Sequence, residues 1–263
     1  MVRELLAHVQ FRGTIRERSV EPFVRLLGAL REKRRVRGVL FDISSGGGGD
    51  IASTDLYLAV KRLDAVKPVV ASIGSLAASG GYMAAIGARR VYAYPGSGVG
   101  SIGVIMPHFA VQKLLAKVGV DVELLHEGRH KDAYQGFRPL TDEERTKLQA
   151  VAHDSYESFV ATVARERHQT PEAILPLATG EFWSGRRAKE LGLVDALGDR
   201  EEALGELARI TGVRPSKLVR VSPPRPFFER MMSTGLSVVG PGLVAGMRDS
   251  VEDALWDALV GIR

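Results

Sequence analysis

The 263-residue chain has no cysteine. That removes disulfides, thiolate nucleophiles and cysteine-ligated zinc from the chemistry open to it. Long hydrophobic runs are also missing. The longest uncharged stretch, "MMSTGLSVVGPGLVAGM" at 231–247, has 17 residues broken by glycines and a proline, too short and interrupted for a membrane span. The N-terminal "MVRELLAHVQFRGTI" has no long apolar core and no small-residue cleavage site, which excludes a signal peptide. The sequence therefore reads as cytoplasmic, with contact at a membrane surface or a trimmed N-terminal anchor as the alternatives. Charge of one sign is in small excess, 36 Lys and Arg against 31 Asp and Glu. The basic residues are scattered among acidic ones, and the densest run, "REKRRVR" at 31–37, reads as a solvated helix end, so nucleic acid is not an expected partner.

What is present is ordinary for a globular domain: 45% hydrophobic and 25% charged residues. Residues 5–15 read as a strand, and "EPFVRLLGALREKRR" puts Phe23, Leu26, Leu27 and Leu30 on one helical face. "GVLFDI" at 38–43 is a short buried strand, followed by the loop "SSGGGGD" and a helix near 51–65 with Leu56, Ala59, Val60 and Leu63 inward. "KPVVASIGS" is the next strand, Gly80 and Gly81 open a helix, and "RVYAY" is again strand-like. A helix around 109–118 and a strand over 120–125 are expected next. Strands alternating with helices predict an α/β fold with a largely parallel sheet. From Thr141 the pattern becomes helical. Thr141 and Glu144 form a capping box at the start of a helix to about His168, and further helices are expected at 171–178, 184–192 and 199–211, the last capped by Asp199. We divide the chain into a domain at 1–212 and a C-terminal tail at 213–263. The end of the tail, "DSVEDALWDALVGIR", has Val251, Leu255, Leu259 and Ile262 near helical spacing.

The stretch "AASGGYMAA" at 77–85 is where chemistry is expected. It places Ser79 between the end of a parallel strand and the start of a helix, where α/β sheets collect their ligands. Its small neighbours let a substrate backbone approach, and the Gly80 N–H at the helix start is placed to stabilise an oxyanion. Serine is also a favoured helix N-cap, so the motif alone leaves a cap and a nucleophile both open. A nucleophile needs a base. His126 and His130, in "HEGRHKD", are candidates on a loop, where surface histidines are common, and the glycine at 128 argues against a helical metal pair. Lys131 in the same loop serves only if neutral, which means lowering its pKa from about 10.4 to about 7, a cost of about 4 kcal/mol. A solvated lysine beside Asp132 is the plainer reading.

Taken together, "SIGSLAASGGYMAAIGARRVYAYPGSGVGSIGVIM", "LLHEGRHKD" and "EFWSGRRAKELGLVDALGDREEAL" resemble the signal peptide peptidase A (protease IV) family of Ser-Lys peptidases. The resemblance runs from about residue 35 to 205, with three motifs in the family's order. It implies a Clp/crotonase-like α/β fold, a largely parallel sheet flanked by helices, with the tail as a helical extension. It also implies Ser79 as nucleophile, Lys131 as general base 52 residues downstream, Ser101 orienting the lysine, and Gly80 with Gly46 as oxyanion donors. Peptides such as cleaved signal peptides or misfolded membrane-derived segments are the implied substrates, with no metal, nucleotide or organic cofactor. The partner expected is further copies of the chain, in a ring or dome, the tail serving in oligomer packing or membrane-surface contact. The family's loop Asn-Ser-Pro-Gly-Gly is "ISSGG" at 43–47, with Ile43 and Ser45 replacing the asparagine and proline. That departure puts loop rigidity in question and keeps open a non-catalytic scaffold of the same family; a crotonase-type acyl-CoA enzyme is a second alternative, because that fold also holds a thioester oxyanion with glycine N–H donors.

Overall fold

The computed structural model describes residues 4–223. The chain opens with strand β1 (Leu5–Arg12) and helix α1 (Glu17–Glu32), then β2 (Val36–Ser45), α2 (Asp50–Asp64), β3 (Val69–Ala78), α3 (Gly80–Ala85), β4 (Arg90–Ala93) and β5 (Gly98–Gly100). After these come α4 (Gln112–Lys117), α5 (Asp142–Glu166), α6 (Pro171–Ile174), β6 (Phe182–Ser184), α7 (Gly185–Glu190), β7 (Ala196–Leu197), α8 (Arg200–Thr211) and β8 (Leu218–Val221). The sheet runs β6-β5-β3-β2-β1-β8, with β4 beside β3 and β7 beside β4. Every pairing is parallel except β5 with β6. The long β3 changes neighbours along its length. Residues Val70 to Ile73 face β4, and Leu76 to Ala78 face β5. On its other side β3 stays paired with β2 as far as Ala77 opposite Ser45, after a register shift.

Period-two alternation gives the sheet two apolar faces. Ala7, Val9 and Phe11 of β1 with Phe41 and Ile43 of β2 join the main core under α1, α2 and α3. Phe23 of α1 meets Phe11 edge-on with ring centroids 4.9 Å apart. Leu6, Leu40 and Val70 point the other way, against Ala203 and Leu207 of α8. The expected inward residues of α1 and α2 are buried, Phe23 partly so. The capping box at Thr141 is formed in both directions, and Asp199 accepts from the N–H groups of Glu201 and Glu202.

Three segments differ from the sequence reading. Residues 171–178 are helical only to Ile174 and finish in a 3-10 turn through Leu177, because Pro176 has no N–H to continue the ladder. Residues 120–125, despite alternating Val120, Val122 and Leu124, have no ladder partner among the described residues and are not a strand. The chain after 212 does not leave the sheet at once. A 3-10 turn at Pro215–Lys217 leads into β8, which pairs with β1 from Leu6 opposite Leu218 to Val9 opposite Val221. Four residues are too few to show alternation, and the partner lies some two hundred positions earlier. The amphipathic segment 251–262 lies outside the described residues.

Candidate active site

Ser79 follows the last residue of β3 and precedes the first of α3, and its backbone is unusual. With φ 52° and ψ −125° it occupies a region that side-chain-bearing residues avoid, at a cost of about 1–3 kcal/mol. The surroundings hold it there. Its N–H donates to the Gly100 carbonyl at 2.7 Å, and its own carbonyl accepts the Met83 N–H at 3.0 Å to start α3. The hydroxyl makes no capping bond, so it is not spent on the helix end. At the N-cap position, the serine bends the chain through its backbone, and its side chain makes no capping bond to the helix.

The small residues around Ser79 are there for space. A Cβ on Gly80 would lie 1.9 Å from the Ser53 Oγ of α2, one on Gly81 2.5 Å from the Ser45 carbonyl oxygen, and one on Gly47 2.8 Å from both the Gly80 nitrogen and the Ser79 Cβ. The start of α3 is therefore wedged between the end of β2 and the side of α2. Tyr82 anchors its far side, fully buried, its hydroxyl donating to the Leu193 carbonyl at 2.8 Å. Burial raises this phenol's pKa and keeps it neutral.

The loop at 43–49 is clamped despite lacking the family's proline. Ser45 Oγ accepts the Gly47 N–H at 3.1 Å. Ile15 grips from outside, its N–H donating to the Gly47 carbonyl at 2.9 Å and its carbonyl accepting the Gly49 N–H at 3.0 Å. Gly47, with φ 92°, is the residue pressed against Ser79 and Gly80, and the sequence reading passed over it. Its neighbour Gly46 is exposed, nearest to Leu76. Only the second glycine's positive φ distinguishes them, and a run of four identical glycines does not reveal that.

Ser101 follows Gly100, the acceptor of the Ser79 N–H, and shares its strained geometry with φ 50°. Its N–H donates to the Glu181 carbonyl at 2.7 Å. Ser79, Gly80, Gly47 and Ser101 thus converge at the ends of β2, β3 and β5. Lys131 stands on a turn closed by its N–H donating to the Gly128 carbonyl at 3.0 Å. Its side chain is exposed in the single chain and makes no hydrogen bond to Ser79. His126 Nε2 stands 4.0 Å from Asp132, and His130 faces Glu143, Glu144 and Lys147. Neither histidine is bonded to Ser79. Among the described residues no group of three His, Cys, Asp or Glu side chains is arranged to hold a metal, and no helix is long and apolar enough to cross a membrane.

Comparison with known proteins converges on one family. Residues 61–214 match the model of Peptidase family S49. A Synechocystis protein named "Putative protease slr0021" is 36% identical over 231 residues, which cover 87% of this chain and 83% of that protein. The chloroplastic serine protease SPPA of Arabidopsis thaliana is 31% identical over 84% of this chain, though the match spans 33% of its own length. Protease 4 of Salmonella typhi is 34% identical over 68% of this chain and 29% of its own. Among solved structures, the membrane-bound stomatin-specific protease 1510-N, a mutant in complex with a substrate peptide, superposes with TM-score 0.57 at 13% identity, covering 89% of this chain and 98% of that one. That likeness establishes the Clp-like α/β fold. The chain belongs to peptidase family S49, the family of signal peptide peptidase A.

Proposed function

We propose that this chain is a serine endopeptidase working through a Ser79–Lys131 dyad. The observation that carries the reading is the strained Ser79, held at the head of α3 with no capping bond from its hydroxyl. Strain at a nucleophile is maintained only where the rest of the fold enforces it. Ser79 Oγ attacks the scissile carbonyl carbon while Lys131 Nζ takes its proton. The Gly80 N–H, without an intrahelical acceptor at the first position of α3, holds the developing oxyanion together with the Gly46 N–H of the clamped loop. Collapse expels the amine, which receives the proton back from Lys131. Water then resolves the acyl-enzyme by the same route in reverse. Ser101 orients the lysine amine.

A lysine base must be dry, and in the single chain Lys131 is exposed. The reading therefore includes a homo-oligomer, a ring or dome, in which a neighbouring subunit covers the loop. The segment between β5 and Lys131 supports this. Ile105 is 89% exposed, Phe109 76% and Leu125 92%, apolar side chains that a soluble monomer seldom leaves in water together. The substrates are extended apolar peptides such as cleaved signal peptides or membrane-derived segments.

The test is cleavage of a fluorogenic apolar peptide by the parent, Ser79→Ala and Lys131→Met, with a fluorophosphonate to label the nucleophile. Cleavage by the parent alone, with the label on Ser79, is the expected result. Activity persisting in Lys131→Met removes the dyad. Turnover of an acyl-CoA thioester in place of peptide points to the crotonase-type chemistry.

A further inference from the structure

The turn carrying Lys131 is crowded with carboxylates: Asp132 beside it, Glu127 earlier in the loop, and Glu143 and Glu144 in the first turn of α5. A carboxylate paired with a lysine holds it protonated, shifting its titration upward by roughly one to three pH units and disabling it as a base. Yet three of the four are committed elsewhere. Arg138 Nε donates to Asp132 Oδ2 at 2.8 Å, and its two Nη atoms reach Glu144 Oε2 and Oε1 at 2.8 and 2.7 Å. His126 Nε2 stands 4.0 Å from the other Asp132 oxygen. Glu144, only 3% exposed, also accepts the Thr141 N–H at 2.9 Å. Glu143 is taken by Lys147 at 2.8 Å and Arg129 at 2.9 Å, with His130 Nε2 at 3.3 Å. Glu127 makes no ion pair among the described residues. Lys131 itself has neither ion pair nor side-chain hydrogen bond among the described residues.

Arg138 is fixed as well as engaged. His108 Nε2 lies 3.0 Å from its carbonyl oxygen, and its Nη1 also donates to the Pro139 carbonyl at 3.0 Å. One planar guanidinium spans a carboxylate on the Lys131 turn and a buried one on α5, a geometry an ammonium does not reproduce. Consistent with this, the Arg138 hydrogen bond is the main cause holding the Asp132 carboxyl below its ordinary range. It does the same for Glu144, with the Thr141 N–H second.

We infer that Arg138 is a positioning residue for the Lys131 base, tying the lysine turn to the head of α5 and drawing Asp132 away so that the lysine keeps no carboxylate partner. The inference rests on the Ser79–Lys131 reading and extends it to a residue that does not touch substrate.

The test is the pH profile of kcat/KM for peptide cleavage by the full chain. In Arg138→Gln, Asp132 is released beside Lys131. The acidic limb is expected to move up by about one pH unit or more, with about tenfold loss near neutrality and recovery in alkali. Adding Asp132→Asn should return the limb to its parental position although Arg138 is still absent, since asparagine cannot form the ion pair. Because Arg138→Gln strands a buried Glu144, Arg138→Gln with Glu144→Gln is made in parallel. It removes both charges and keeps a side chain able to complete the Thr141 capping box, and it should show the same displaced limb and the same rescue. A uniform loss at every pH with no rescue by Asp132→Asn assigns Arg138 a purely structural part and overturns the inference. Lys131→Met separates the two levels. If it retains cleavage, the dyad itself fails. If it is silent while the Arg138 variants keep the parental profile, only the role of Arg138 fails.

Discussion

Ser79 and Ser101 are joined through a single hydrogen bond, the Ser79 N–H to the carbonyl of Gly100 at 2.7 Å, and each has a left-handed φ, 52° and 50°. One stands at the end of β3 and the other at the end of β5, and Ala78 and Gly100 are partners in the ladder between those strands. Two strained turns side by side support each other. Relaxing either would break the bond that fixes the other, so the hydroxyls of both serines are positioned by one backbone framework.

Replacing Ser79 by alanine should reduce kcat/KM for peptide cleavage at least about a thousandfold, as loss of a nucleophile does elsewhere. The unfolding midpoint should barely change, because the hydroxyl makes no capping bond and the strained backbone is the same for alanine. Denaturant titration beside the peptide assay checks both. A large loss of stability would mean that the side chain is structural.

Gly80→Ala places a methyl 1.9 Å from Ser53 Oγ and 2.5 Å from Ser53 Cβ. It should destabilise by about 1–3 kcal/mol, as overpacking does, and displace the oxyanion donor, so cleavage falls with stability. Ser53→Gly alone should cost about 0.5 kcal/mol from helix propensity. In the double variant the two should be strongly coupled, with part of the stability and activity restored. Simple additivity would show that the clash is relieved another way.

Asp42 should mark the acid limit of the fold. Buried at 4% exposure between β1 and β3, its carboxyl is lowered from 3.8 to about 2. Burial alone would raise it. His8 at 3.4 Å, Arg12 donating at 2.7 Å and Gln10 donating at 3.0 Å more than offset that. A folded pKa below the unfolded one stabilises above the unfolded value, and the contribution disappears as pH falls from about 4 to about 2. Asp42→Asn should therefore lose roughly 2 kcal/mol at neutral pH and flatten the stability profile across that window. Urea titrations between pH 2 and 7 measure it, and an unchanged acid slope would contradict it.

Ile105→Asp and Phe109→Asp should yield smaller species in sedimentation and lose peptide cleavage, while the far-ultraviolet circular dichroism of the domain is retained. Both side chains are exposed in the single chain, so neither change disturbs its core. An unchanged sedimentation coefficient with full activity would remove the subunit contact proposed to dry Lys131.

Much of the scaffold was legible because local spacing encodes it. The inward faces of α1 and α2 follow from helical periodicity, and the caps at Thr141 and Asp199 from side chains three residues from their targets. Other features depend on residues far apart in the chain. β8 is a strand only because β1 lies beside it, and residues 120–125 show alternation without a neighbour to pair with. Gly46 and Gly47 look the same in the sequence, yet only Gly47 is pressed against Ser79 and Gly80.

The sequence alone determined that a serine flanked by small residues would stand where a parallel strand turns into a helix, because strand, glycine pair and helix are contiguous and their geometry is local. Tertiary structure decided what surrounds that serine: the Gly100 acceptor on a neighbouring strand, the Ile15 clamp on the glycine loop, and the arginine that claims the acid next to Lys131. Hydrogen bonds and ion pairs depend on distance in space. Only folding brings Gly100 to 2.7 Å from Ser79, or turns Asp132 toward Arg138 instead of the lysine it follows.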